Sequence, residues 1–126
     1  MKKIATDKAP AAIGPYSQAV EAGDLVFVSG CIPVDPATGE MVEAVIEIQA
    51  AQALKNLKAV LAAAGCDVSQ VVKTTVFLSD MKDFVPVNGV YAQVFDGAVL
   101  PARSAVQVAA LPKNAMIEVE AIAYKG

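Results

Sequence analysis

The chain has 126 residues, enough for one domain (residues 1–126) with its own core and no need of disulfide or metal staples. A net charge of −3 and a pI of about 4.8, without any basic cluster, argue against a nucleic-acid partner, because phosphates are held chiefly by Lys and Arg. Histidine is absent, which removes Ser–His–Asp and Cys–His nucleophile schemes, imidazole metal sites and the usual general base near neutral pH.

Apolar residues make up 56% of the chain and the mean hydropathy is +0.50, high for a small monomer. No apolar run approaches bilayer length, and Lys2-Lys3 is followed by Thr6-Asp7-Lys8 rather than by a signal-peptide core, so a cytoplasmic protein without membrane contact is expected. The surplus of apolar residues fits a subunit interface, since obligate interfaces resemble a core cut in half. Cys31 and Cys66 lack metal-ligand spacing and read as free thiols.

In chain order, a short strand is followed by Ala9-Pro10-Ala11-Ala12-Ile13-Gly14-Pro15, a loop that two prolines and a glycine keep out of helix or sheet. Tyr16 to Val20 reads as a strand, turned by Glu21-Ala22-Gly23-Asp24 into Leu25-Val26-Phe27-Val28-Ser29. That run is continuously apolar, which predicts burial on both faces. Asp35-Pro36-Ala37-Thr38-Gly39-Glu40 is a turn. From Val45 to Ala64 the residues Ile46, Ala50, Ala53, Leu54, Leu57, Leu61 and Ala64 recur at helical spacing, and Gly65 supplies the stop. Val71 to Leu78 is rich in β-branched residues and reads as a strand. A second helix runs from Phe84 or Val87 to Phe95, with Pro86 tolerable in its first turn. Two strands, about 102–108 and 116–124, close the chain. The order predicts an α+β, two-layer domain: a mixed sheet with both helices on one face.

Arg103 is the only arginine, placed between Pro101 and an alternating run. A half-buried guanidinium needs an anionic partner. Glu118 and Glu120 of the last strand are candidates, and so is a ligand carboxylate. If the last two strands pair as a hairpin, one register puts Arg103 and both glutamates on one side. A structural ion pair remains the plain alternative. Taken alone, Tyr16 reads as a core aromatic with its hydroxyl at the edge. Ser29-Gly30 ends an apolar strand where backbone N–H groups could meet an oxyanion, but a simple turn is the favoured reading. Asn88 and Tyr91, at i and i+3, face the same way as a structural pair. Cys31 has no neighbouring base and reads as inert packing.

Taken together, Gly14-Pro15-Tyr16-Ser17-Gln18-Ala19, Val28-Ser29-Gly30-Cys31-Ile32-Pro33, Val72-Lys73-Thr74-Thr75-Val76-Phe77-Leu78, Val87-Asn88, Pro101-Ala102-Arg103-Ser104 and Ile117-Glu118-Val119-Glu120-Ala121 closely resemble the RidA (YjgF/YER057c/UK114) family, end to end and in order. The resemblance implies a chorismate-mutase-like (YjgF-like) fold, a six-stranded mixed sheet with two helices, assembled as a homotrimer with clefts between subunits. It implies an enamine/imine deaminase that hydrolyses 2-imino acids derived from 2-aminoacrylate or 2-aminocrotonate to 2-keto acids and ammonia, with no cofactor and no metal. Residue by residue, Arg103 matches the clamp on the substrate carboxylate and Glu118 the acid that positions or activates water. Glu120 matches a neighbouring acidic position, and Tyr16, Ser29, Gly30 and Asn88 match pocket positions. Ala105 stands where a cysteine is common and keeps the backbone N–H. Gln107 replaces a common glutamate, and residues 96–100 form a shorter segment than usual. A non-catalytic sensor of 2-keto acids or related small carboxylates is the alternative. The ribonuclease activity reported for some relatives fits poorly with the acidic pI and the lone arginine.

Overall fold

In the computed structural model, which describes residues 1–126, eight strands and two α-helices follow one another. They are β1 (Lys2–Ile4), β2 (Ala19–Ala22), β3 (Leu25–Cys31), β4 (Val34–Asp35), β5 (Glu40–Met41), α1 (Ile46–Ala63), β6 (Val71–Leu78), α2 (Phe84–Val94), β7 (Ala102–Gln107) and β8 (Ile117–Tyr124). Six strands form one mixed sheet in the order β1-β2-β3-β8-β6-β7, and β4 and β5 make a separate hairpin. Only β6 and β7 are parallel. Both helices lie on one face, giving the two-layer, six-stranded α+β arrangement that the sequence implies.

The helical stripe of α1 is the centre of the core: Ala50, Ala53, Leu54, Leu57 and Leu61 are all buried. They meet Val26 and Val28 of β3, Val76 and Leu78 of β6, and Ile117, Val119, Ala121 and Ala123 of β8. The helix ends in a Schellman motif. Gly65 takes φ +79°, its N–H donates to Ala62 O at 3.0 Å, and the Cys66 N–H donates to Leu61 O at 2.9 Å. Pro86 falls in the first turn of α2, where its missing N–H costs no helical hydrogen bond.

Three expectations change. The segment 16–18 precedes the strand, which begins at Ala19. β3 is buried on one face only: Val26 and Val28 are covered, whereas Phe27 is 40% exposed. Its unbroken apolar run reflects an open sheet face, which also bears Val106, Ile122 and Tyr124, and which no element of the chain covers. Lastly, β7 and β8 do not pair. β8 lies between β3 and β6, and β6 separates it from β7, which occupies the sheet edge. A strand–helix–strand connection returns β7 parallel to β6, and the antiparallel slot on the other side of β6 is left for β8.

Candidate active site

Two groups of the sequence-selected residues come together at separate places. The first surrounds Arg103. In the β6–β7 register Thr74 stands beside Arg103, and Thr74 is fully buried against α2 through the 2.7 Å hydrogen bond linking Thr74 Oγ1 and Tyr91 Oη. Arg103 therefore points to the helix face. Its Nη1 donates to Asn88 Oδ1 at 2.7 Å, and its guanidinium carbon lies 4.8 Å from the centre of the Tyr91 ring and 5.3 Å from that of Phe84. Asn88 and Tyr91 share a side of α2, as their i, i+3 spacing requires, and that side holds the arginine. Ala105, on the same face of β7, packs against the core. No carboxylate pairs with Arg103: the two ion pairs of the chain are Lys82–Asp80 and Lys125–Glu21. The glutamates expected as possible partners are elsewhere, so the fork keeps donors free for an anion that the chain itself does not supply.

The second group surrounds Ser29-Gly30. Val28 stands opposite Ala121 and Cys31 opposite Val119, so Ser29 and Gly30 together face the single residue Glu120. This is a β-bulge, of the kind that re-aims side chains next to functional sites. Ser29 Oγ donates to Ser17 O at 2.7 Å, and the Ser29 N–H donates to Gln18 O at 3.0 Å, which ties the Tyr16–Gln18 segment to the bulge. Glu118 lies directly over Gly30: a Cβ at this glycine would collide with the Glu118 carboxylate. Only glycine permits that approach. Tyr16 is half exposed and lines, with Ser29, both a recess at the end of β3 and a hollow on the open sheet face that includes Phe27 and Glu120.

Glu118 and Glu120 project to the open face, opposite to buried Ile117, Val119 and Ala121. Glu118 is half-buried without a cationic partner. Burial, and secondly the charge of Glu120, raises its pKa above the ordinary carboxylate range. The Cys31 thiol is pushed up to about 12 by burial and by the charge of Glu118. No cluster of three His, Cys, Asp or Glu side chains is present to hold a metal ion.

Sequence reasoning missed three buried amides, of which Gln49 of α1 accepts from the Met116 N–H at 2.9 Å and two shape the surroundings of the bulge. Gln18 binds the N-terminal loop, and Asn56 of α1 donates to Ile32 O at 3.0 Å and Val34 O at 2.8 Å, fixing the chain after the bulge. A polar residue inside the apolar stripe of α1 was the available signal for Asn56.

A family model described as Endoribonuclease L-PSP matches residues 6–125. The chain belongs to this family, the RidA/YjgF family. Among its RidA relatives, the 2-iminobutanoate/2-iminopropanoate deaminase of Salmonella typhimurium is 54% identical over 126 residues, covering 98% of each chain. A RutC family protein of Pyrococcus horikoshii is 54% identical over 97% of this chain and 96% of its own. The RidA-family structure of Escherichia coli TdcF with bound serine superposes with a TM-score of 0.96 at 50% identity, covering all of both chains.

Proposed function

We propose that the protein is an enamine/imine deaminase, which hydrolyses small 2-imino acids to 2-keto acids and ammonia. The observation that carries this reading is a pair of unpartnered, half-buried charges of opposite sign: Arg103, with no acid, and Glu118, with no base. Arg103 clamps the substrate carboxylate through two parallel hydrogen bonds, held in orientation by Asn88 and the aromatic faces. The Ala105 backbone N–H stands beside it. Glu118 takes a proton from the attacking water as its oxygen bonds to the imine carbon. Glu118 returns that proton to the imine nitrogen, giving a carbinolamine. As the carbonyl forms and the C–N bond breaks, Glu118 relays the remaining hydroxyl proton to the nitrogen, which leaves as ammonia. A carboxylate whose pKa is raised is suited to both halves of that transfer. Ser29, Gly30 and Tyr16 orient substrate and water beside it. An imine is intrinsically hydrolysable, so alignment of these groups suffices without cofactor or histidine. The deaminase names of relatives and the serine bound to TdcF support a small amino- or imino-acid-like substrate.

Arg103 faces the helices from the sheet edge, whereas Glu118 faces away from them. One chain does not present both to one ligand. We therefore read the site as composite, built in clefts of a homotrimer in which a neighbour supplies the second charge, and the uncovered apolar sheet face as the surface that brings subunits together. Complementation tests this. Arg103→Ala and Glu118→Ala are each inactive when assayed with a dehydratase that generates the enamine in situ. Co-refolded in equal amounts, they regain activity at about one quarter of the wild-type sites, the fraction in which an intact arginine meets an intact glutamate across a random interface. No recovery on mixing refutes the composite site. Wild-type protein that binds 2-oxobutanoate yet never speeds keto-acid release establishes the sensor reading instead.

A further inference from the structure

A recess of about 540 Å³ opens at the end of β3, within the range of small-molecule sites. Residues 9–11 and Ile13 of the N-terminal loop, Ile32, Val34 and Pro36, and Val60 of α1 form its largely apolar walls, and Ser29-Gly30 lies at its rim. A three- or four-carbon imino acid held at that rim leaves most of the space empty. The 32–36 wall is fixed by Asn56, but the 9–13 wall belongs to a proline-containing loop with no place in the sheet. Ala9 anchors its start in the core, and one buried polar residue, Gln18, holds the rest. Gln18 Oε1 accepts from the Thr6 N–H at 2.7 Å, and Nε2 donates to Pro10 O at 2.7 Å and Thr6 O at 3.1 Å. Its backbone carbonyl accepts from Ser29, so the loop wall and the bulge are referenced to the same residue.

The geometry points to Gln18 as a positioning residue that sets the width of this recess, and to the recess as the subsite that takes the side chain of the substrate. The inference rests on the imine-hydrolysis reading. It predicts that longer, branched 2-imino acids enter the recess and that their turnover, more than that of the smallest substrate, depends on where the loop stands. Gln18→Glu keeps the shape of the side chain but turns its donor into an acceptor facing three carbonyls, those of Thr6, Ala9 and Pro10, which drives the loop outward. Ala11→Leu adds bulk to an exposed position of the same wall, narrowing the recess without touching the core.

The test measures kcat and KM for 2-iminopropanoate and 2-imino-4-methylpentanoate, generated in situ, alongside titrations of pyruvate and 4-methyl-2-oxopentanoate. Both variants lower the branched-to-small ratio of kcat/KM by about tenfold or more, chiefly through KM. A Gln18 that serves folding alone lowers both substrates equally through the active fraction, and a constant ratio in Gln18→Glu overturns its positioning role. Should that variant fail to fold, Ala11→Leu decides, and an unchanged ratio there overturns the recess as a subsite. If wild type hydrolyses neither imine but Ala11→Leu weakens only the branched keto acid, the recess stands and the hydrolysis reading falls. Turnover by wild type with no size dependence in either variant does the reverse.

Discussion

Arg103→Met separates a binding arginine from a structural one. The substitution removes one charge-assisted hydrogen bond to Asn88, worth about 1.5–3 kcal/mol. It also removes stacking on Phe84 and Tyr91, about 0.5–1 kcal/mol for each ring at a half-exposed site. Against these losses stands relief from holding a guanidinium partly out of water with no carboxylate beside it, a cost of several kcal/mol. Methionine retains the apolar stem and its sulfur can contact the same rings. The opposing contributions cancel to within about 1.5 kcal/mol, whereas breaking a buried ion pair costs about 3–5 kcal/mol. Urea unfolding at fixed protomer concentration measures the difference, since an oligomer's stability depends on that concentration. Binding of 2-oxobutanoate, followed in the same preparation, is lost. A stability loss above about 3 kcal/mol refutes the reasoning, because it means that the arginine completes a pair on which the fold or assembly depends.

Glu118, with its pKa raised by burial and then by Glu120, favours the folded state while protonated, and that contribution is lost as pH rises through the folded pKa. Glu118→Gln therefore stabilises the protein at neutral pH, and thermal melts across pH show the gain shrinking as the medium becomes acid. Glu120→Gln removes the like charge, so the acidic limb of the kcat/KM profile moves to lower pH; an unmoved limb denies the coupling. Gly30→Ala forces a Cβ into the Glu118 carboxylate and lowers both stability and activity. In a double-mutant cycle Glu118→Ala recovers most of the stability and none of the activity. The Cys31 thiol, pushed up to about 12, stays unlabelled by iodoacetamide at pH 8 in the native protein and reacts once unfolded.

Local rules carried the sequence reading furthest. The helical stripe from Ile46 to Ala64, the glycine stop at Gly65 and the β-branched run from Val71 to Leu78 depend on neighbours a few residues away, and each lies where periodicity and turn chemistry put it. Face parity within a strand is equally local: Glu118 and Glu120 share one side of β8 and Ile117, Val119 and Ala121 the other. The β-bulge at Ser29-Gly30 was less legible, because it shows only against the partner strand. A glycine within an apolar strand was the one hint of it. Gln18 was hidden for a related reason, since its role is set by carbonyls of a loop eight to twelve residues away.

Strand pairing was the nonlocal step, and it decides how the site is assembled. The order β6–α2–β7 is a crossover unit, whose strands are parallel and whose helix lies over the pair it connects. Once that is recognised, α2 must face β7, and Asn88 and Tyr91 become neighbours of Arg103 rather than of Glu118. β8 then takes the free edge of β6 with its buried residues toward α1, which turns both glutamates to the opposite face. Slipping β8 by a single residue would bring the glutamates round to the side of Arg103, but it would also expose Ile117, Val119, Ala121 and Ala123. The core forbids that exchange. A single chain thus carries its free cation and its free carboxylate on opposite faces of one sheet, and a second chain is the route by which both can meet one substrate.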